Sequence, residues 1–357
     1  MARRTSTGIH IEGGALLGPN GETPRHPPTI ADVAERANVS PTTVSHVLTG
    51  NRRVGPATMQ RVQAAMEELS YRPSGLARGL RLRRTHTVAL LVPDISNPFY
   101  PSLARGLQDA LINAGYHAML CNTDAKRAQE RVFLEDVIRR RIDGVVMSSF
   151  HPAPEDVLMV DHAGVPMVVV SSEQPPSCAD WVSLADEEAA ASAVRYLIEA
   201  GHSRIGHIAG PFDLVPPGKR LLGYRRALDE SGFPVDERLV ISGVDYTVEG
   251  GHGAMATLLE RGPRPTAVFC NNDLMAIGAL RCASSQGLAV PDDLAVVGFD
   301  DIDAASYVSP ALTTVMNPVY ETGFTSGQML LERISGGYRG NGRCVQLQGR
   351  VIKRASA

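Results

Sequence analysis

The sequence predicts a small all-α helix-turn-helix head followed by an α/β core of two lobes, each a doubly wound parallel sheet. Two observations predict this fold class. Apolar residues recur at helical spacing near the start of the chain, and after residue 86 short apolar runs alternate with helical stretches. With 357 residues, of which 43% are hydrophobic, the chain can bury more than one core, which excludes global disorder.

The composition also indicates in which cellular compartment the protein is expected. No apolar run approaches the ~20 residues of a membrane span, and the first residues lack the pattern of a secretory signal. The five cysteines are scattered and never spaced C-x-x-C, which argues against a disulfide framework or a zinc knuckle. We therefore expect a cytoplasmic protein that makes no membrane contact.

Residues 1–28 are rich in Gly, Pro, Thr and Arg and show no sustained period, so they are expected to form a disordered tail. A tail of this composition could touch DNA phosphates, but a passive extension is favoured.

Residues 29–72 are predicted to form the helical head. Apolar residues on one helical face indicate its first helix: Ile30, Val33, Ala34 and Ala37. Thr29, with Asp32 three residues later, resembles the capping box that begins such a helix. Ser40 followed by Pro41 predicts a second start after a very short link, and Pro56 opens a third helix. Two short helices joined by a tight turn form a helix-turn-helix unit.

Charge separates this head from the rest of the chain. Between Thr29 and Arg84 there are nine arginines, no lysine and four acidic residues, a surplus of five positive charges, whereas the whole chain has a net charge of −3. A small basic unit in an acidic chain is the electrostatic footprint of a nucleic-acid binder, and DNA binding is favoured over a merely solvated surface.

Residues 86–357 are predicted to form the core. Eight short apolar runs indicate buried strands: 88–92, 118–120, 145–147, 167–170, 205–209, 239–241, 267–269 and 294–297. Several intervening helices are expected to end at a glycine: Gly115, Gly164, Gly201, Gly232, Gly262 and Gly287. A break near the middle favours two similar lobes, although periodicity alone leaves a single barrel open.

A ligand is expected at the carboxyl ends of these strands, because open parallel sheets bind ligands there. The residues that follow the runs are mostly polar: Asp94, Asn97, Phe99, Asn122, Tyr246, Asn272, Asp273 and Asp300, with Arg220 on a later helix. Carboxylates, amides and aromatic rings suit a polyhydroxylated ligand, since each carboxylate or amide can bridge neighbouring hydroxyls. A lone Asp at such a position could equally cap a helix, and Asp273 could do both.

Signatures of catalysis are missing from the sequence. Gly218-Lys219 resembles part of a phosphate-binding loop, but Asp213 and Arg220 occupy positions that the motif reserves for Gly and Ser/Thr. There is no H-E-x-x-H and no G-x-S-x-G, and the histidines show no metal-ligand spacing. We expect neither an enzyme nor a cofactor or metal.

Motifs in order along residues 29–356 resemble the LacI/GalR repressors. They are TIADVAERANVSPTTVSHVLTGNRRVGPATMQRVQAAMEELSYRPSGLARGLR, then DISNPFY, CNNDLMAIGAL, VGFDDID, SPALTTV and the closing GRVIKRAS. The head motif is specific, whereas the core motifs alone would also fit periplasmic sugar-binding proteins. The resemblance implies a homodimeric transcriptional regulator, associated with the nucleoid, whose periplasmic-binding-protein-like core binds a small effector, usually a sugar or a nucleoside-like molecule.

The resemblance also implies DNA contacts. Pro41, Thr42 and His46 match positions that meet base edges, and Thr42 and His46 lie four residues apart on one helical face. The other implied head contacts are Thr29, Ser40, Thr43, Ser45 and Arg52. The alternative for His46 is an incidental surface histidine.

Residues 73–85 match the hinge helix and linker of the family, with implied contacts at Ala77, Leu80 and Arg81. Because the segment is short and holds Gly75 and Gly79, we expect it to fold only on DNA, where Leu80 would wedge into the minor groove.

The effector contacts implied by the resemblance are Asn97, Phe99, Arg220, Tyr246, Asn272, Asp273, Asp300 and Asn317. Three positions depart from the family's pattern: Ser171 stands where many sugar-binding members have Asp, Leu214 where a purine-responsive member has Arg, and Val319 where some members have an aromatic residue. A purine effector is therefore not favoured.

The sequence thus predicts a sequence-specific DNA-binding repressor of a near-palindromic operator, controlled allosterically by a small effector, expected to be a carbohydrate, between the core lobes. The alternatives are a sugar-binding protein without a DNA role and an enzyme on the same scaffold. A phosphorylated protein in place of the small effector is a variant of the first interpretation.

Overall fold

The computed structural model describes residues 28–49, 52–72, 84–150, 153–171, 173–211, 217–262 and 264–357. The chain divides into one unit up to Arg83 and a second unit, Arg84–Ala357. Residues 1–27 of the predicted tail, the hinge residues Ala77, Leu80 and Arg81, and Leu214 lie outside the described residues. Within the described ranges, no helix combines the length and hydropathy needed to cross a membrane.

The first unit contains the three predicted helices, α1 (Ile30–Arg36), α2 (Pro41–Thr49) and α3 (Pro56–Glu68). The capping box is confirmed, since Thr29 N donates to Asp32 Oδ2 at 2.6 Å and Asp32 N donates back to Thr29 Oγ1 at 3.4 Å. Between α1 and α2 the chain turns at Asn38, whose φ is 51°. The helices enclose one apolar cluster: Val33, Ala34, Ala37, Val44, Val62 and Ala65.

The second unit contains two six-stranded sheets, one in each lobe, which confirms the predicted fold class. The first sheet has the order β11-β5-β4-β3-β1-β2. Its strands are β1 (Thr87–Val92), β2 (His117–Asn122), β3 (Gly144–Ser148), β4 (Met167–Val170), β5 (Asp180–Leu184) and β11 (Cys344–Leu347). The helices of this lobe are α4 (Phe99–Ile112), α5 (Arg127–Arg140), α6 (Pro154–His162) and α12 (Val319–Ser335).

The second sheet has the order β12-β10-β9-β8-β6-β7. Its strands are β6 (Ile205–Ile208), β7 (Val240–Ile241), β8 (Ala267–Cys270), β9 (Ala295–Asp300), β10 (Thr313–Met316) and β12 (Arg350–Ile352). The helices of this lobe are α7 (Asp186–Glu199), α8 (Pro217–Glu230), α9 (Val248–Arg261), α10 (Asp273–Ser285) and the short α11 (Ala304–Tyr307), with a 3₁₀ turn at Glu237–Leu239. Strand β12 pairs antiparallel with β10, whereas the other recorded pairings in this sheet are parallel.

All eight predicted runs are strands, and the six predicted glycines have positive φ. Sequence analysis missed β5, β10, β11 and β12. These segments contain polar residues inside the strand; β5, for example, begins with Asp180, which is fully buried because Arg333 and Arg343 donate to its carboxylate. A carboxylate inside a strand interrupts the continuous apolar run from which strands were predicted.

The lobes are not separated by one break in the sequence. The chain passes between them after β5, after β10 and between β11 and β12, so each lobe is completed by a late segment. In the first lobe α12 lies against α4, and their backbones approach so closely that a Cβ on Gly106 would be 2.0 Å from Tyr320 O.

Helices α9 and α10 of the second lobe also cross at glycines. A Cβ on Gly251 would lie 2.1 Å from Met275 O, and one on Gly278 would lie 2.0 Å from Val248 O. Gly253, on the exposed side of α9, has no atom within 4 Å of the corresponding position. The first two glycines are therefore required by packing, whereas the third is not.

Gly251→Ala is expected to lower the free energy of unfolding by at least about 2 kcal/mol, because the methyl group forces two backbones apart. The matched control in the same helix, Gly253→Ala, is expected to leave it unchanged or raise it by up to about 1 kcal/mol through helix propensity. Urea unfolding followed by circular dichroism measures both. Equal effects of the two substitutions would contradict the close crossing.

Candidate functional site

Helix α2 presents the residues for which base contacts are predicted. Its start is fixed by Ser40, whose Oγ accepts from Thr43 N at 3.1 Å. Pro41 and Thr42 are exposed and His46 is half-buried. The side chains of Thr42 and His46, one helical turn apart, are therefore accessible on one side of α2.

The other predicted head contacts are less uniform. Arg52 is exposed, whereas Ser45 is only 9% exposed. Thr29 and Ser40 use their hydroxyls as helix caps. Arg52 is therefore the more accessible of the two for a phosphate contact.

A cavity of about 690 Å³, counted with its open mouth, lies between the two lobes of the second unit. Its lining includes seven of the eight predicted effector residues: Asn97, Phe99, Arg220, Tyr246, Asn272, Asp300 and Asn317. Asp273 is the predicted residue that the lining does not include. The seven come from both lobes, as expected for the carboxyl edges of two facing sheets.

Arg220 on α8 is the buried cation of this cavity, with 5% of the residue exposed. Its Nε donates to Asp186 Oδ1 at 2.9 Å, and its Nη1 donates to the carbonyl oxygen of Asn271. Its Nη2 lies 3.7 Å from Asp300 Oδ1, and the guanidinium carbon lies 3.6 Å from the centre of the Phe299 ring. The guanidinium is thus held by two carboxylates, a carbonyl and an aromatic face.

Asp300 ends strand β9 in an unusual backbone conformation, with φ of 105°. Its Oδ1 accepts from Asn317 Nδ2 at 3.2 Å. Burial raises the pKa of Asp300 to about 6, against the opposing effect of Arg220. Its carboxylate faces the cavity with capacity for further hydrogen bonds, because a carboxylate has about four acceptor sites.

Asp273 has a different position, inside the lobe and 1% exposed. Its carboxylate accepts from Ile302 N at 2.8 Å and from Thr314 Oγ1 at 2.5 Å. The helix cap is instead Asn272, whose Oδ1 accepts from Met275 N at 2.9 Å. Asp273 therefore connects the turn that follows Asp300 to strand β10, and so it positions Asp300 without lining the cavity itself.

Aromatic side chains from both lobes lie at the cavity. Phe150 of the first lobe stacks on Tyr246 of the second, with ring centres 5.8 Å apart and planes 19° apart. Phe99 lines the cavity as well. The Tyr246 ring reaches over Gly210, where a Cβ would lie 2.8 Å from its hydroxyl oxygen. These rings provide apolar faces on which the C–H groups of a sugar could pack.

Ser171, named from the sequence as a departure from the family's pattern, also lines the cavity. Sequence analysis missed other lining residues, among them Ser148, Ser149, Phe150, Ser183 and Asp186. Ser148 follows a predicted strand, so the strand-end rule could have selected it. Ser183 and Asp186 lie in and just after β5, a strand that was not predicted.

Two residues selected by the strand-end rule shape a loop and do not line the cavity. Asp94 Oδ1 accepts from the backbone and hydroxyl of Ser96. Asn122 Oδ1 accepts from Ile95 N at 2.8 Å. Within the described parts of the chain, no group of three His, Cys, Asp or Glu side chains is placed to hold a metal ion.

A helix-turn-helix unit in one chain with a two-lobed unit that encloses a polar cavity defines the class of ligand-responsive DNA-binding proteins. Two family profiles agree with this: "Bacterial regulatory proteins, lacI family" matches residues 29–74, and "Periplasmic binding protein-like domain" matches residues 194–357.

Individual relatives match over most of the chain. Catabolite control protein A of Priestia megaterium is 38% identical over 303 residues, which are 85% of this chain and 91% of the relative. The "transcriptional regulator CelR-cellobiose complex" is 35% identical, with a TM-score of 0.71, over 92% of this chain and 100% of that one. The lac repressor dimer bound to operator and the anti-inducer ONPF is 26% identical, with a TM-score of 0.81, over 93% of this chain and 99% of that one. This chain belongs to the lacI family of bacterial regulatory proteins, and it is a DNA-binding transcriptional regulator.

Asp300→Asn is expected to stabilise the protein at neutral pH. The pKa of Asp300 is about 6 in the folded state and 3.8 ordinarily. Between pH 3.8 and pH 6 the native state therefore binds more protons than the unfolded state. The free energy of unfolding falls as pH rises through this range. The substitution should therefore raise the free energy of unfolding by roughly 1–3 kcal/mol at about pH 7.5 and change it little at about pH 4.

Urea unfolding of both proteins across this pH range measures the difference, with the exposed Asp161→Asn as the control. A loss of stability at neutral pH that shrinks toward acid pH would show instead that the pairing with Arg220 outweighs the cost of burial.

Proposed function

We propose that this regulator is a homodimeric repressor whose affinity for a near-palindromic operator is controlled by a small carbohydrate bound between the lobes of its core. In this proposal residues 29–72 read the operator, residues 73–85 form the hinge, and residues 86–357 bind the effector and the second subunit. The observation that carries the proposal is the cavity, because its lining comes from both lobes.

The chemistry of the cavity favours a polyhydroxylated ligand. Asp300 can accept hydrogen bonds from hydroxyls, while the amides of Asn97 and Asn317 both donate and accept. Phe99 and the Phe150–Tyr246 pair offer rings for the apolar face of a sugar. The CelR relative is described in complex with cellobiose, which supports a carbohydrate for this chain as well.

A ligand that touches both lobes favours one arrangement of the lobes over another. Because the chain passes between the lobes three times, this preference reaches elements in both sheets. A coupling of about 1–3 kcal/mol would change operator affinity roughly 5- to 150-fold. We propose that the hinge, with Leu80 as a minor-groove wedge, transmits this preference to the operator.

Exposed apolar side chains support the homodimer. Tyr307 is 82% exposed and Ile112 is 55% exposed. Strand β2 forms one edge of the first sheet, and its Met119 and Leu120 are 38% and 46% exposed. Such surface is commonly covered in an oligomer, and a two-fold dimer aligns two recognition helices with a near-palindromic site.

The proposal assigns no catalytic turnover and a cytoplasmic location. The lining carboxylates Asp186 and Asp300 both face Arg220, which suits binding better than proton transfer. The alternative, a sugar-binding protein without a DNA role, gives no function to α2 with its exposed Thr42 and accessible His46.

A double variant tests the operator contact. Thr42→Ala combined with His46→Ala is expected to weaken binding to the operator at least about 10-fold, because each lost base contact costs about 1–3 kcal/mol. Fluorescence anisotropy with DNA from beside the protein's own gene, against scrambled DNA, measures this. The control is Gln63→Ala on the exposed side of α3. An unchanged ratio of specific to non-specific affinity would overturn the assignment of α2.

The effector is tested by thermal-shift screening of the full chain against free sugars and nucleosides, repeated with promoter DNA. At least one carbohydrate is expected to raise Tm and to change operator affinity roughly 5- to 150-fold. If every ligand that binds leaves operator affinity unchanged, allosteric control by a small effector is wrong.

A further inference from the structure

The charge balance of the cavity indicates which carbohydrates it accepts. Within the described residues, the charged side chains in its lining are one cation, Arg220, and two carboxylates, Asp186 and Asp300. All three are at least nine-tenths buried, with exposures of 5%, 4% and 8%. Charges in such surroundings are screened much less by salt than surface charges are.

Arg220 does not resemble a cation prepared for an anionic ligand. Of the five N–H donors of a guanidinium, one is used on Asp186 and one on the Asn271 carbonyl, and Nη2 faces Asp300. One face of the group lies on the Phe299 ring. Its charge is thus compensated inside the protein before any ligand enters.

Three helix N-termini, a kind of site that often holds phosphate, carry asparagine caps or acidic side chains here. At α4 the side chain of Asn97 accepts from Phe99 N at 3.0 Å, and at α10 that of Asn272 accepts from Met275 N at 2.9 Å. The first turn of α7 carries Asp186, Glu187 and Glu188 and is therefore negative. A phosphate at α4 or α10 would therefore have to displace or avoid an asparagine side chain, and one at α7 would face three acidic side chains.

We propose that the cavity selects electrically neutral polyhydroxylated ligands and rejects their phosphorylated or carboxylated counterparts. This inference rests on the proposed effector function and restricts its ligand class. A sugar phosphate would place a third negative group beside the two buried carboxylates and lose its hydration, while gaining no uncompensated cation. A neutral sugar donates its hydroxyls to the Asp300 carboxylate and loses no charge solvation.

The first experiment compares matched pairs on the full chain at constant ionic strength by isothermal titration calorimetry. Each pair is a free sugar or nucleoside and its phosphate, and inorganic phosphate is a separate probe. The neutral member is expected to bind at least about 10-fold more tightly, and inorganic phosphate is expected to give no saturable heat. Tighter binding of a phosphorylated member, or saturable binding of inorganic phosphate, would overturn the proposal.

The titration with inorganic phosphate tests the inference even if no sugar binds. A panel in which no neutral carbohydrate binds would count against the proposed effector. Anion rejection would still be supported by the absence of phosphate binding, or overturned by its presence.

The second experiment releases Arg220 from its partner. Asp186→Asn is expected to create saturable binding of inorganic phosphate, seen as a rise in Tm above that in chloride at equal ionic strength. Asp300→Asn provides a second variant should the first fail to fold, and the exposed Asp161→Asn is the control. If the folded variants gain no more phosphate binding than the control, the carboxylates do not exclude anions and the proposal is wrong.

Discussion

The buried pairing of Arg220 with Asp186 and Asp300 is the interaction on which the rest of the cavity depends. A guanidinium with 5% exposure is tolerable only because carboxylates, a carbonyl and an aromatic ring replace the water it has lost. Asp186 begins α7, Arg220 lies on α8 and Asp300 ends β9, so one group fixes three elements of the second lobe. Removing Arg220 would leave two buried carboxylates uncompensated, which is far more costly than losing a surface ion pair.

A second layer of contacts holds Asp300 in place. Its φ of 105° is disfavoured for a residue with a side chain, so the surrounding structure must impose it. Asp273 does so through Ile302 N and Thr314 Oγ1, and Arg354 Nη2 donates to the adjacent Asp301 at 2.6 Å. The binding geometry of one carboxylate thus depends on two residues outside the lining.

Sequence analysis predicted the features that depend on local pattern. Continuous apolar runs identified the central strands, and the rule that ligands lie at strand ends selected Tyr246 and Asp300. Features that depend on distant partners were not predictable. Asp180 lies in a strand because Arg333 and Arg343, more than 150 residues away, compensate its charge, and without that strand Asp186 could not be placed at its end. Asp273 follows a predicted strand, as the cavity residues do. The direction of its carboxylate, however, is set by its hydrogen bonds to Ile302 N and Thr314 Oγ1.

The threefold passage of the chain between the lobes restricts how the receptor can move. A single connection would leave the lobes free to rotate about it, whereas three connections restrict their relative rotation. Neither half corresponds to one uninterrupted stretch of the gene, so a single recombination event cannot exchange one half for that of a relative. The three connections are therefore retained together, while amino-acid changes in the lining alter which ligand the cavity binds.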